Sequence, residues 1–85
     1  MVAMEIRYKG EAIKELKKIG NKDKPKVKKK IELLTKNPLV GKQLAGKFRG
    51  LYSLRAWPLR VIYSYDEKRQ VVTIETIGYR GDVYT

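Results

Sequence analysis

Residues 51–65 read Leu51-Tyr52-Ser53-Leu54-Arg55-Ala56-Trp57-Pro58-Leu59-Arg60-Val61-Ile62-Tyr63-Ser64-Tyr65. Two runs rich in aliphatic and aromatic residues meet at Pro58, which lacks a backbone donor and therefore marks a turn. Their composition predicts strands over Leu51 to Trp57 and Leu59 to Tyr65, paired antiparallel. A third run, Gln70 to Ile77, follows the polar turn Asp66-Glu67-Lys68-Arg69, so a three-stranded meander is expected.

Alternation sets Leu51, Ser53, Arg55 and Trp57 on one face of the first of these strands, and Tyr52, Leu54 and Ala56 on the other. On the next strand Arg60, Ile62 and Ser64 alternate with Leu59, Val61, Tyr63 and Tyr65. A guanidinium inside an otherwise apolar strand needs a partner. Spacing alone leaves two for Arg60: the Glu75 carboxylate on the neighbouring strand, or the phosphate of a ligand.

Upstream, Pro38 to Gly50 holds three glycines and few β-branched residues, and reads as a connecting loop. Before it, Val27, Ile31 and Leu34 recur at helical spacing, with Pro25 in the first turn, where its missing amide costs nothing. This helix is expected to begin near Asn21 or Lys22 and to end at Asn37-Pro38. An earlier helix from Glu11 carries Ala12, Ile13, Leu16 and Ile19 within an arc of about 120° and stops at Gly20-Asn21. Met4, Ile6 and Tyr8 alternate with Glu5 and Arg7 in Ala3 to Lys9, the period of a short strand ended by Gly10. The expected fold is α+β: one domain over residues 1–85, in the order β-α-α-β-β-β, with a two-helix hairpin packed on a C-terminal antiparallel sheet. At 85 residues there is room for little else.

Twenty Lys and Arg against nine Asp and Glu leave a net charge of +11. Nucleic acid is the leading partner for so one-signed an excess, with a merely solubilising lysine surface as the other reading. Ten lysines and three acids lie between residues 9 and 30, so the helical hairpin presents a cationic surface, and Lys22, Lys26, Lys29 and Lys30 are candidate RNA contacts. With neither Cys nor His, thiolate nucleophiles, imidazole bases and imidazole metal ligands are excluded. Met1 to Glu15 has no signal-peptide core, and no run of about 18 apolar residues occurs, so a cytoplasmic protein without membrane contact is expected.

The tail Ile77-Gly78-Tyr79-Arg80-Gly81-Asp82-Val83-Tyr84-Thr85 offers an arginine fork for phosphate and tyrosines for stacking, which suits single-stranded RNA. Aromatics at a terminus also serve simply to dock it on a core.

The succession Leu44-Ala45-Gly46, Gly50-Leu51-Tyr52-Ser53-Leu54-Arg55, Leu59-Arg60-Val61-Ile62-Tyr63 and Ile77-Gly78-Tyr79-Arg80-Gly81-Asp82-Val83-Tyr84 resembles the RelE/ParE toxin superfamily over most of the chain. The Gly-x-Arg followed by Val-Tyr is similar to its RelE side. The resemblance implies the toxin of a type II toxin-antitoxin system: a ribosome-dependent mRNA endonuclease that inhibits translation and is silenced by a RelB-like antitoxin. It implies no metal or cofactor, and DNA contact only through the antitoxin. By that likeness Arg60, Arg80 and Tyr84 are catalytic, the arginines stabilising charge as a 2′-hydroxyl attacks the adjacent phosphate and Tyr84 stacking on the cleaved nucleotide. Arg55 matches a further basic strand position, and Lys47 and Arg49 are candidate RNA contacts from the loop. Leu51 and Ser53 stand where studied relatives carry lysines, and neither can act as a base or a cationic clamp. Two other functions fit the same fold: a ParE-like DNA gyrase inhibitor, and an inactive toxin retained as an antitoxin-binding module.

Overall fold

The structure is a computed structural model that describes residues 4–79. Strand β1 (Glu5–Tyr8) leads into helix α1 (Gly10–Lys18) and helix α2 (Lys24–Lys36). A two-residue strand β2 (Lys42–Gln43) and a 3-10 turn at Gly46–Phe48 precede β3 (Tyr52–Ala56), β4 (Leu59–Asp66) and β5 (Val71–Tyr79). All five strands form one sheet in the order β1-β5-β4-β3-β2. The meander pairs antiparallel as its turns demand, while β1 returns beside β5 in parallel, with Glu5 opposite Val71 and Tyr8 opposite Ile74.

The helices follow local chemistry. Glu11 sits in the first turn of α1 and Lys17 and Lys18 in its last, complementing the helix dipole. Pro25 lies in the first turn of α2, and that helix starts at Lys24 rather than at Asn21 or Lys22 because residues 21–23 form a turn first. No helix among the described residues is long and apolar enough to cross a membrane.

Both helices cover one sheet face. Ala12, Ile19, Val27, Ile31 and Leu34 meet Leu54, Ala56, Leu59, Val61, Tyr63, Val72, Ile74 and Ile77 in a single core. Each large aliphatic side chain removed from water there contributes about 1.5–3 kcal/mol. Ile13 departs from the expected stripe: at the edge of its arc it remains 45% exposed, and Leu16 packs only partly against the core.

β4 and β5 slip register between Ile62 and Tyr63. Ile62 stands opposite Thr76 and Tyr63 opposite Ile74, so Glu75 is the extra residue of a β-bulge. The slip lets Ile74 and Ile77, three apart, both enter the core and turns Glu75 to the opposite side.

Tyr63 is fully buried, and its ring stacks on Tyr52 with centroids 5.1 Å apart. Its hydroxyl donates to the Pro38 carbonyl at 2.8 Å and accepts from the Gly41 amide at 2.9 Å. Gly41 is required by this approach, since a Cβ there would stand 2.6 Å from the Tyr63 oxygen and 3.1 Å from the Ser53 carbonyl. Tyr63→Phe is expected to cost about 1–3 kcal/mol in urea unfolding, and Gly41→Ala about as much through overpacking. Burial also raises the Tyr63 phenol above its ordinary value of 10.0, against the smaller opposing pull of the Gly41 amide. The folded state therefore holds this proton more tightly than the unfolded chain does. Its contribution is complete below the ordinary value and is lost as pH rises through the folded one, a loss that alkaline unfolding of Tyr63→Phe should lack.

Candidate functional site

The face that the helices leave open carries the arginines. Arg55 on β3 stands directly opposite Arg60 on β4, and Arg60 opposite Gly78 on β5, so the three form one row across the sheet. Residues paired in this way have Cβ atoms about 4.5–5.5 Å apart, a distance at which two like charges repel. Arg55 is exposed and Arg60 half-buried. Of the two partners that spacing left open for Arg60, the Glu75 carboxylate is engaged elsewhere. The bulge brings Glu75 against Lys9, whose ammonium lies 2.7 Å away, and within 3.1 Å of the Ser64 hydroxyl. The hydrogen bond to Glu75 and its negative charge raise the Lys9 pKa.

Along the same face the next row is Ser53, Ile62 and Thr76, with Ser53 and Ile62 buried. Leu44, Phe48 and Leu51 close over Ile62, lining with Lys9, Glu75 and Thr76 a small cavity of about 190 Å³. The segment around the 3-10 turn is thus folded onto the arginine-bearing face. Lys47 and Arg49 in this segment are exposed, with the Lys47 ammonium 5.3 Å from the centre of the Phe48 ring. Leu51 is part of the apolar lining against which this turn lies.

The structure therefore sets Arg55 beside Arg60 on one side of the sheet, while Arg49 lines a cleft with Tyr52 and Tyr65. It sets Lys22, Lys26, Lys29 and Lys30 on the other side, in the helical layer, where Lys26 pairs with Asp23 at 3.5 Å. Arg80 and Tyr84 lie outside the described residues. Sequence reading missed the bulge, whose signal was the three-residue spacing of Ile74 and Ile77 in a strand otherwise alternating by two.

Two guanidinium groups in register on one face have the geometry to meet the oxygens of one anion. Millimolar phosphate is expected to raise the melting temperature by roughly 2–5 °C beyond chloride of equal ionic strength. Arg55→Ala and Arg60→Ala should each abolish that increment, as scanning calorimetry would read directly.

Comparison with curated protein sequences finds no match. The family described as ParE toxin of type II toxin-antitoxin system, parDE, matches residues 6–84. Among solved structures, the toxin-antitoxin complex RelBE2 from Mycobacterium tuberculosis is similar at 27% identity and a TM-score of 0.84, over 93% of this chain and 100% of that one. The archaeal RelE-RelB complex from Pyrococcus horikoshii is similar at 22% identity and 0.79, over 95% and 99%. The intact RelBE toxin-antitoxin complex of E. coli is similar at 23% and 0.76, over 91% and 96%. With the match spanning the chain from β1 to its C-terminal tail and the fold shared throughout, this chain belongs to the ParE toxin family of type II toxin-antitoxin systems, within the RelE/ParE superfamily.

Proposed function

We propose that the protein is a ribosome-dependent mRNA endonuclease, held inactive by an antitoxin of the RelB kind. The observation that carries this reading is the Arg55–Arg60 row on the open sheet face. A phosphodiester seated there would be clamped by guanidinium groups, which stay charged at any working pH and serve as electrostatic stabilisers, never as bases. As the mRNA 2′-hydroxyl attacks the adjacent phosphorus, the phosphoryl oxygens gain negative charge, which Arg60 and Arg80 neutralise. The bond to the 5′-oxygen then breaks, leaving a 2′,3′-cyclic phosphate and a 5′-hydroxyl. Tyr84 would stack on the cleaved nucleotide, while Lys22, Lys26, Lys29 and Lys30, facing away, would rest on ribosomal RNA. An antitoxin partner is supported by the likeness to RelBE2, itself a toxin-antitoxin complex.

A second reading, inhibition of DNA gyrase without cleavage, is favoured by Leu51. Leucine has no ionisable group, so that position of β3's approach offers no base for the 2′-hydroxyl proton.

The two are separated by inducing the protein in growing cells and pulse-labelling protein and DNA synthesis, wild type against an Arg60→Ala, Arg80→Ala double variant. Immediate arrest of translation by the wild type alone, with mRNA cut within codons, is the expected result. Continued translation with failing DNA synthesis would install the gyrase reading instead. Harmlessness of both proteins would mean a toxin that has lost its activity.

A further inference from the structure

Residues 33–65 contain Lys36, Lys42, Lys47, Arg49, Arg55 and Arg60, and not one Asp or Glu. This stretch supplies the end of α2, β2, the 3-10 turn, β3 and most of β4, which is the half of the sheet remote from β1. The positive field is therefore uneven, strongest where no acid of the same segment offsets it.

Within that half lies a cleft of about 640 Å³, separate from the arginine row, bounded by Gln43, Gly46, Arg49, Gly50, Tyr52 and Tyr65. Its wall bends where Gly46 and Gly50 take φ of +65° and +91°, conformations open to glycine. Tyr52 is fixed by its stacking on buried Tyr63. The Tyr65 hydroxyl accepts from the Gln70 amide at 3.0 Å, and the Tyr52 hydroxyl from the Gln43 amide at 3.5 Å. A phenol that accepts in this way keeps its own proton to donate. The cleft thus combines two hydroxyl donors, one guanidinium fork and aromatic surface.

We propose that this cleft binds a nucleotide of single-stranded RNA flanking the position cleaved, with its phosphate on Arg49 and its base on Tyr52 and Tyr65. The inference rests on the RNA-directed reading above and adds to it a second contact point. Tyr65 is five residues beyond Arg60 on β4, about 17 Å at the rise of a strand, and the odd offset puts its side chain on the other sheet face, so the two points are not met by one nucleotide and an RNA reaching both passes round the sheet edge. An acidic peptide would satisfy Arg49 but leave the tyrosine rings without a stacking partner, whereas a base uses both.

The test is fluorescence anisotropy of the full chain with a labelled single-stranded RNA whose 2′-hydroxyls are methylated, so that no cleavage follows binding. Arg49→Ala should weaken binding about tenfold and lower the salt slope by about 0.7, the loss of one phosphate contact, with Arg49→Lys recovering the slope. The Tyr52→Phe, Tyr65→Phe pair keeps the rings and should weaken binding about two- to tenfold at an unchanged slope. Circular dichroism of each variant should match the wild type. RNA affinity within twofold of wild type in both variants would overturn the proposal. So would variants that lose a glutamate-rich peptide yet retain RNA, which would give the cleft to a protein partner. Cleavage on programmed ribosomes distinguishes the two levels of inference. Loss of RNA affinity in variants of a protein that cuts no mRNA would sink the nuclease reading and leave the cleft standing. Unaltered affinity and cutting in the variants would do the reverse.

Discussion

The hydroxyl of Tyr63 joins the two halves of this protein. It lies within the core, yet holds the Pro38 carbonyl and the Gly41 amide, the ends of the short segment by which the chain leaves α2 for β2. Two polar backbone groups that would otherwise be stranded near the core are satisfied by one side chain. Everything that follows starts from that anchored point: the short β2, the 3-10 turn, and the closure of Leu44, Phe48 and Leu51 over Ile62. The course of the segment that carries Lys47 and Arg49 thus starts from a hydrogen bond made on the helical side of the sheet. Apolar burial holds the sheet to the helices, but this hydroxyl directs the connection between them.

Element types were legible where periodicity was long and uninterrupted. Val27, Ile31 and Leu34 identify α2, and the alternation through Arg60, Ile62 and Ser64 correctly separates the open face of β4 from its buried one. What local pattern does not carry is pairing between distant segments. Nothing in Glu5 to Tyr8 announces that this strand will lie parallel to β5, because the information resides in the fit of both to the same helices. The two-residue β2 is too short for any period to register. Arg60 shows the same limit at the site. Its face was legible, but the choice between its two candidate partners was not, because the bulge that gives Glu75 to Lys9 and Ser64 breaks the alternation in β5.

The cationic character that composition announces is resolved by the fold into two unlike surfaces. The helical layer is lysine-rich, exposed and interspersed with acids, as in the Lys26–Asp23 and Lys18–Glu15 pairs. Pairs of that kind on a solvated helix are weakly stabilising and readily screened. The open face instead presents arginines held by strand register at fixed spacing, where planar forks can meet phosphate oxygens in defined directions. One surface is suited to adhesion and the other to orientation, a division that total charge cannot express.

The parallel return of β1 also sets the order of assembly. The strand beginning at Glu5 finds its partner only when residues 71–74 have been made, and β5 lies between it and the rest of the sheet. A growing chain can form the helical hairpin early, but the sheet needs contacts spanning most of its length, and such loops close slowly. During synthesis the sheet therefore stays unfinished until β5 has been made, and β1 waits unpaired beside the helices it precedes.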